Sequence, residues 1–398
     1  MISRKDRQVN GSIWGFVGIF VFIMAILTLP VSENYAQSGT PIKIGFITPV
    51  TGPVSYDGSM LIEGIKIIDK EISAQGGVLG RPLNIIIEDG KGDPIESVSA
   101  AEKLMTRDKV TVLMGAWASS ASLAVMPIAE KYGIPFIVET SSSPKITDPS
   151  SPGFKWTFRP KSTAGIDGEL VASQLKDLKF TKLAFLSQNN DWGRSVAKFY
   201  SESAMKKGIP TVLSEFFTLG ERNFNSFLTK IKASEATGLV ITASYDESLL
   251  INEQFYELRM KIPRMISSGL NAGKFIRLAG PGRLASLENV YFVDYFAPAE
   301  GSAGFNSFLK EYQNMFGKDK YPEHYSVMAY VSTKIIRDAI AKAGGTEPEK
   351  IREVLENNFF DTLFGKLKFG KEHQATPAVF LTQIKNGKQV DVKKMGGF

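Results

Sequence analysis

The fold of this chain is decided by residues 42–88, which read IKIGFITPVTGPVSYDGSMLIEGIKIIDKEISAQGGVLGRPLNIIIE. The run 42–47 is rich in β-branched and apolar residues and predicts a strand. From Leu61 to Ile72 apolar side chains recur at spacings of four, three and four, which predicts an amphipathic helix. Two glycines end this helix, and 83–88 predicts a second strand. A strand, a helix and a strand in this order are typical of a parallel sheet covered by helices.

The same alternation continues along the chain and predicts two doubly wound units. A passage rich in Pro, Ser and Gly, 141–153, separates them. In the first unit we expect further helices over 95–107 and 119–132 and further strands over 110–114 and 134–138. In the second we expect helices over 165–178, 195–206 and 224–233 and strands over 183–186, 211–216 and 239–242.

The end of the chain departs from this alternation. Helical periods at 305–316, 324–343 and 348–356 precede a strand at 366–369 and a hairpin, 379–385 with 389–392, that turns at an Asn-Gly pair. A helical region in this place cannot form a third sheet domain, so we expect it to return over both units. Several chain crossings would then form a hinge.

We therefore predict an α/β protein with two doubly wound parallel-sheet lobes joined by a multi-strand hinge. The expected first lobe comprises 41–158 with 297–366, and the expected second lobe comprises 159–296 with 367–398.

The N-terminus has the three parts of a secretory signal. Basic residues precede an uncharged apolar run, 13–29, and a small residue, Ala36, follows. We expect cleavage after residue 36 and an exported protein. Since 17 apolar residues reach the lower limit for a membrane span, an uncleaved anchor that holds a sensor ectodomain is the alternative.

Composition excludes several classes of function. Cysteine is absent from the 398 residues, so disulfides, thiolate metal sites and cysteine nucleophiles are excluded. Two histidines, His324 and His373, are too few for a histidine-rich metal site, and we expect no metal and no cofactor. The net charge of +6, with both signs interspersed, argues against a nucleic-acid partner. The sequence has no Gly-x-Ser-x-Gly elbow, which argues against a serine hydrolase that would use His324. We therefore expect that the protein is not an enzyme and has no catalytic residue.

Two serine-bearing loops follow neighbouring predicted strands. The first, 115–120, runs into a helix and carries Ser119 and Ser120; the second, 140–144, carries Ser141 and Ser143. In an open parallel sheet, ligands bind outside the carboxyl ends of the strands. Hydroxyls beside a helix N-terminus suit a carboxylate. The alternative is that these serines only cap a helix and populate loops.

Three aromatic residues stand beside predicted strand or helix ends. Trp117 lies in the first serine loop, Trp192 opens a helix of the second unit, and Tyr245 ends a strand there. Aromatic faces on opposing lobe edges could enclose the apolar body of a ligand. Packing between the lobes without a ligand is the alternative.

Several motifs, in this order, are similar to those of the leucine/isoleucine/valine-binding type of periplasmic binding protein. The resemblance covers essentially all of the mature chain and implies a two-lobed receptor that delivers a small molecule to an ATP-driven importer of the inner membrane. The motifs are GFITPVTGP at 45–53, GGVLGRPL at 76–83, Glu88-Asp89 with Asp93-Pro94, VTVLMG at 110–115, KYGIP at 131–135 and NDWG at 190–193.

The resemblance also implies roles for individual residues. Ser119 is similar to the family serine that holds the ligand carboxylate, Ser141 to a backbone contact and Ser143 to a second hydroxyl contact. Trp192 stands where a tyrosine is usual, and Tyr245 matches the other tyrosine of the distal lobe. The implied partners are a small ligand and an ABC permease, and we expect a monomer.

One departure from the family pattern bears on the ligand. Amino-acid binders of the family place an acid after the strand that precedes 266–271, but this stretch reads ISSGLN. An unpaired ammonium in a closed cleft would cost several kcal/mol. Either Asp57, Asp246 or Glu247 replaces the acid, or the ligand lacks an amine. Asp57 follows the first predicted strand, where a plain turn role is the alternative. A branched-chain or other hydrophobic amino acid and an amine-free carboxylate or amide both remain open.

Overall fold

A computed structural model of the chain describes residues 39–267, 270–295 and 303–396. The expected signal segment, 1–36, lies outside this part. Among the described residues, no helix combines the length and the apolar character that a membrane span needs.

The first lobe is built on a five-stranded parallel sheet with the order β2-β1-β3-β4-β5. Its central strand, β3, is wholly buried, because helices cover both faces of the sheet. The strands are β1 Ile42–Thr48, β2 Leu83–Asp89, β3 Val112–Met114, β4 Phe136–Ile137 and β5 Thr157–Phe158.

Three helices connect these strands: α1 Ser55–Ala74, α2 Pro94–Lys103 and α3 Ser119–Tyr132. The first begins at Ser55, before the predicted periodic run that starts at Leu61. Asp57 therefore lies in the first turn of α1 and is buried, so neither the loop nor the turn position expected for it is correct. An acid in the first turn is favoured by the helix dipole.

The second lobe contains a seven-stranded sheet with the order β14-β13-β10-β9-β8-β6-β7. Its first five strands in sequence are parallel, and the predicted hairpin adds the antiparallel β13 and β14. Two buried strands, β9 and β10, were not predicted, and β9 has only three residues, too few to show a period. The strands are β6 Leu183–Gln188, β7 Thr211–Phe217, β8 Gly238–Thr242, β9 Arg264–Ile266, β10 Val290–Asp294, β13 Val379–Lys385 and β14 Lys388–Met395.

The remaining helices include two that the sequence patterns did not predict, α7 and α8. The remaining strands, β11 Phe360–Thr362 and β12 Gly365–Leu367, pair with each other. The full set of remaining α-helices is α4 Ala164–Ala172, α5 Asp191–Lys206, α6 Asn225–Ala233, α7 Tyr245–Glu257, α8 Ala272–Ala279, α9 Ala303–Phe316, α10 His324–Ala343 and α11 Pro348–Asn357.

Tyr245 begins α7, so its predicted position at a strand end is wrong. The backbone N–H and the hydroxyl of Ser244 donate to Glu247 Oε2 at 3.2 and 2.9 Å, which fixes the start of the helix. Ser-x-x-Glu is the sequence signature of such a start, and it stands at 244–247.

The chain returns to the first lobe through α10, which packs along α1. Gly64 allows this close approach, since a Cβ atom there would lie 2.0 Å from the carbonyl oxygen of Ser326. Two crossing segments then run side by side. The backbone N–H of Arg159 donates to His373 O at 2.9 Å, and Ala375 N–H donates to Arg159 O at 2.9 Å. This bridge forms part of the hinge between the lobes.

Candidate functional site

A cavity of about 40 Å³ lies at the edges of the two lobes. Both serine-bearing loops contribute to it, and so do the start of α5 and the start of α10. It is lined by Trp117, Ala118, Ser119, Thr140, Ser141, Ser142, Lys161, Asn190, Trp192, His324 and Tyr325.

The first serine loop leads directly into α3. Its Trp117 has a left-handed backbone with φ of +66°, and Ala118 precedes the helix as its N-cap residue. Ser119 is therefore the first residue of α3, and its buried hydroxyl accepts a hydrogen bond from the Ser143 N–H at 3.2 Å. A helix N-terminus favours an anion through its dipole and its unpaired N–H groups.

The second serine loop is tied to the first by hydroxyl contacts. Thr140 Oγ1 and Ser141 Oγ both donate to Trp117 O, at 2.9 and 3.0 Å. Ser141 Oγ also shares a hydrogen bond of 2.8 Å with Ser122 Oγ on α3. These contacts hold the two loops together as one wall of the cavity.

Arg159 supports this wall from behind. Its fully buried guanidinium donates to Ser143 O at 2.6 Å and to Ser141 O at 3.3 Å. It also donates to Gln374 Oε1 and Thr147 Oγ1, each at 2.7 Å. Burial lowers the pKa of Arg159 to about 9, which leaves it charged at neutral pH.

The opposing wall comes from the start of α5. Asn190 caps this helix by accepting from the Gly193 N–H at 2.9 Å, and this places Trp192 in the first turn beside the cavity. Gly193 is needed there because a Cβ atom would lie 2.0 Å from the Gln188 carbonyl oxygen.

Two basic side chains that line the cavity were not identified as ligand contacts from the sequence patterns. Lys161, only 2% exposed, donates to Tyr295 Oη at 2.8 Å, and this hydroxyl in turn donates to Asp167. Burial lowers the pKa of Lys161 to about 7, although the nearby Asp167 opposes this shift. Lys161 follows the lobe crossing within an ordinary polar stretch, so nothing in the sequence singled it out.

His324 is the second basic group. From the sequence it was only a candidate general base of a serine hydrolase. It is the first residue of α10 and is 1% exposed. Neither ring nitrogen has a hydrogen-bond partner among the residues that the structure describes. Burial, and to a smaller extent the charge of Lys161, hold the pKa of His324 well below its usual value. The side chain therefore faces the cavity as a neutral imidazole.

The described lining contains no acidic residue. Nor do the described parts of the chain hold a group of three or more residues suited to a metal ion. The polar lining consists of hydroxyls, an amide, an imidazole and an ammonium group.

The structure brings together four of the eight sequence-predicted site residues, namely Trp117, Ser119, Ser141 and Trp192. The other four do not line this cavity. Ser120 is half-buried beside it, and the Ser143 hydroxyl accepts instead from Ser195 Oγ at 3.3 Å.

Asp57 and Tyr245 are buried but do not line the cavity. The Tyr245 hydroxyl donates to Glu323 Oε2 and accepts from the Asn271 N–H, both at 2.9 Å. Burial raises the pKa of Asp57, and the neighbouring acids Glu323 and Asp246 raise it further. Tyr245 is thus committed to a contact within the protein.

Comparisons with known proteins agree on one family. A family model described as periplasmic binding protein matches residues 41–389. The leucine-, isoleucine-, valine-, threonine- and alanine-binding protein of Pseudomonas aeruginosa is 27% identical over 360 residues, which cover 88% of this chain and 91% of that protein.

Solved structures give the same result. The leucine-binding protein LivK of Thermotoga maritima has a TM-score of 0.81 at 25% identity, covering 89% of this chain and 99% of that chain. A solute-binding protein of R. palustris in complex with benzoate has a TM-score of 0.80 at 18% identity, covering 90% and 98%. These relatives and neighbours are solute-binding proteins and not enzymes. This chain therefore belongs to the periplasmic binding protein family, as a type I member of the leucine/isoleucine/valine-binding type.

Proposed function

We propose that this protein is an exported receptor that traps a small organic carboxylate between its lobes and delivers it to an ABC permease. The observation that carries the proposal is the cavity whose wall of hydroxyls at two strand ends faces Trp192 on the other lobe. Parallel α/β sheets bind ligands at such strand ends. The proposed lobes are 41–158 with 297–366 and 159–296 with 367–398.

In this proposal the carboxylate lies against the Ser119 hydroxyl, the backbone of Ser141 and the N-terminus of α3. Charge-assisted hydrogen bonds of this kind are worth roughly 1.5–3 kcal/mol each. The apolar part of the solute lies between Trp117 and Trp192, whose indole rings supply large contact areas at a small cost in conformational entropy.

Binding and lobe closure are linked in this proposal. The solute contacts both lobes only when they are shut, so its binding free energy stabilises the closed state. The hinge at Arg159 and Gln374 would carry the rotation. The permease then distinguishes the closed, loaded receptor from the open one. No bond is made or broken, and the protein acts as a monomer in the periplasm after removal of residues 1–36.

Two solute classes are compatible with this function. The names of the relatives point to branched-chain amino acids. The described cavity lining, which has no acid, supports a carboxylate without an amine.

A thermal-shift screen of the purified mature protein tests the proposal. Hydrophobic amino acids and amine-free carboxylic acids would be added singly, with the corresponding neutral amides as matched controls. A carboxylate at a hundred times its Kd should stabilise the protein by roughly 2.7 kcal/mol. If amides stabilise equally, or if no carboxylate has any effect, carboxylate capture is wrong.

The export step is tested by intact mass spectrometry of the protein from its native envelope. Loss of about 36 residues supports a cleaved signal, as expected from its three-part pattern. Retention of these residues would instead support the membrane-anchored sensor.

A further inference from the structure

We propose that the solute is an amine-free carboxylate whose oxygens, besides the Ser119 contact, are held by the Lys161 ammonium and the His324 imidazole. This inference rests on the proposed function and names its solute class. It is carried by two buried basic side chains that line the cavity and by the acid-free character of the described lining.

Lys161 supplies the positive charge. Its Nζ atom lies 2.8 Å from Tyr295 Oη and 4.2 Å from the centre of that ring, so one donor position is satisfied within the protein. An ammonium group has three donors. A carboxylate in the cavity would use a further donor and compensate a charge that is buried at 2% exposure.

His324 supplies an unused hydrogen-bonding group. Buried polar atoms in proteins almost always have a partner, and both ring nitrogens of His324 lack one among the described residues. A neutral imidazole offers one donor and one acceptor. A solute oxygen at hydrogen-bond distance would satisfy the donor, whereas an alkyl group would leave the imidazole unpaired.

An ammonium group on the solute would be repelled at this place. It would share a small cavity with Lys161 and would find no carboxylate in the described lining. Of the three acids that could substitute, Glu247 is bound to Ser244 and to the Gly220 N–H, and Asp246 is exposed. Asp57 lies among other acids near Glu323 and outside the lining.

Calorimetry with solutes of matched shape tests this inference. The probes are L-leucine with α-ketoisocaproate, L-phenylalanine with phenylpyruvate, and benzoate. In each pair a keto oxygen replaces the ammonium group and the α-hydrogen, while the side chain and the carboxylate are the same. We expect an amine-free acid to bind and its amino acid, where one is paired with it, to bind at least about 100-fold more weakly, as a like-charge contact in a closed site implies.

Variants of the two basic residues separate charge from packing. Lys161→Met should weaken binding of the acid at least about tenfold, and Lys161→Arg, which retains the charge, should keep the preference for the amine-free acid. His324→Phe should weaken it severalfold, since the aromatic ring is kept and the hydrogen bond is lost. Lys176→Met removes an exposed lysine and should change nothing. Thermal unfolding establishes that each variant is folded.

The outcomes distinguish the two proposals. Tighter binding of an amino acid than of its keto acid, abolished by Asp57→Asn, would overturn the inference and leave the carboxylate receptor intact. Unchanged affinity of folded Lys161→Met would overturn the role of Lys161. Binding of neither kind of acid would overturn the proposed function itself.

Discussion

Tyr245 on α7 donates a hydrogen bond of 2.9 Å to Glu323, the residue that precedes α10, and thereby joins the two lobes. Arg277 donates to the other oxygen of the same carboxylate at 2.8 Å, and Lys274 lies 3.3 Å from it. Lys274 also lies 3.6 Å from the centre of the Tyr56 ring on α1. This network, in which Glu323 and Lys274 are buried, connects α7 and α8 with α1 and the start of α10.

Glu323→Gln should therefore favour the open receptor. The substitution removes the negative charge that faces Lys274 and Arg277, and a hydrogen bond to a charged group is worth roughly 1.5–3 kcal/mol. We expect a larger radius of gyration without solute in small-angle X-ray scattering and at least about tenfold weaker solute binding. The matched control is Glu311→Gln, which breaks an exposed pair with Lys70 and should leave both measurements unchanged. Equal radii for the two variants would contradict the prediction.

Ser119→Ala should weaken binding of the carboxylate by about tenfold or more, because one charge-assisted hydrogen bond is lost. Isothermal titration calorimetry with the best acid from the thermal-shift screen provides the measurement. Ser120→Ala is the control, since Ser120 lies next along the helix and does not line the cavity. An unchanged Kd for Ser119→Ala would show that this hydroxyl does not hold the solute.

Solute binding should depend on pH through Lys161. Burial lowers the pKa of Lys161 to about 7 against the opposing charge of Asp167, and the nearby Arg159 lowers it further. Above that pH the free receptor loses a proton that the bound anion needs, so the association constant should fall by up to tenfold per pH unit. Below that pH it should be constant. His324, held neutral by burial, adds no slope in this range.

The measurement is calorimetry between about pH 6 and about pH 9, within which an unperturbed lysine would not titrate. Lys161→Arg should flatten the profile, because a guanidinium stays charged throughout. A flat profile for the unaltered protein would contradict the prediction.

Arg159→Met should both destabilise the protein and loosen the cavity wall. It leaves the Ser141 and Ser143 carbonyls and the Gln374 amide oxygen without their donor, and each unsatisfied buried group costs roughly 1–3 kcal/mol. We expect a loss of about 3 kcal/mol or more in urea unfolding, together with weaker solute binding. Arg194→Met, at an exposed position on α5, serves as the control for loss of an arginine. Similar stability of the two variants would show that the wall does not depend on Arg159.

Sequence reasoning predicted the long elements well because their apolar periods are regular, as in α1 and α10. It missed β9, with three residues, because so short a buried run has no period. The serine loops were predictable from their place after strands. Lys161 and His324 were not, since their role depends on which segments meet when the chain crosses between lobes. Tyr245 was predicted at a strand end, although the Ser-x-x-Glu at 244–247 is the signature of a helix start.

The guanidinium of Arg159 holds the Ser143 carbonyl and the Gln374 side chain at once, although the first belongs to the cavity wall and the second to the returning crossing. In the proposed division, a rotation of the first lobe against the second would move Ser143, in the first lobe, relative to Arg159 and Gln374, in the second. The Arg159 side chain would transmit this displacement to the backbone of the second serine loop. A permease that opens the receptor would in this way also weaken the contacts that hold the solute. Opening of the lobes and release of the solute would then be coupled.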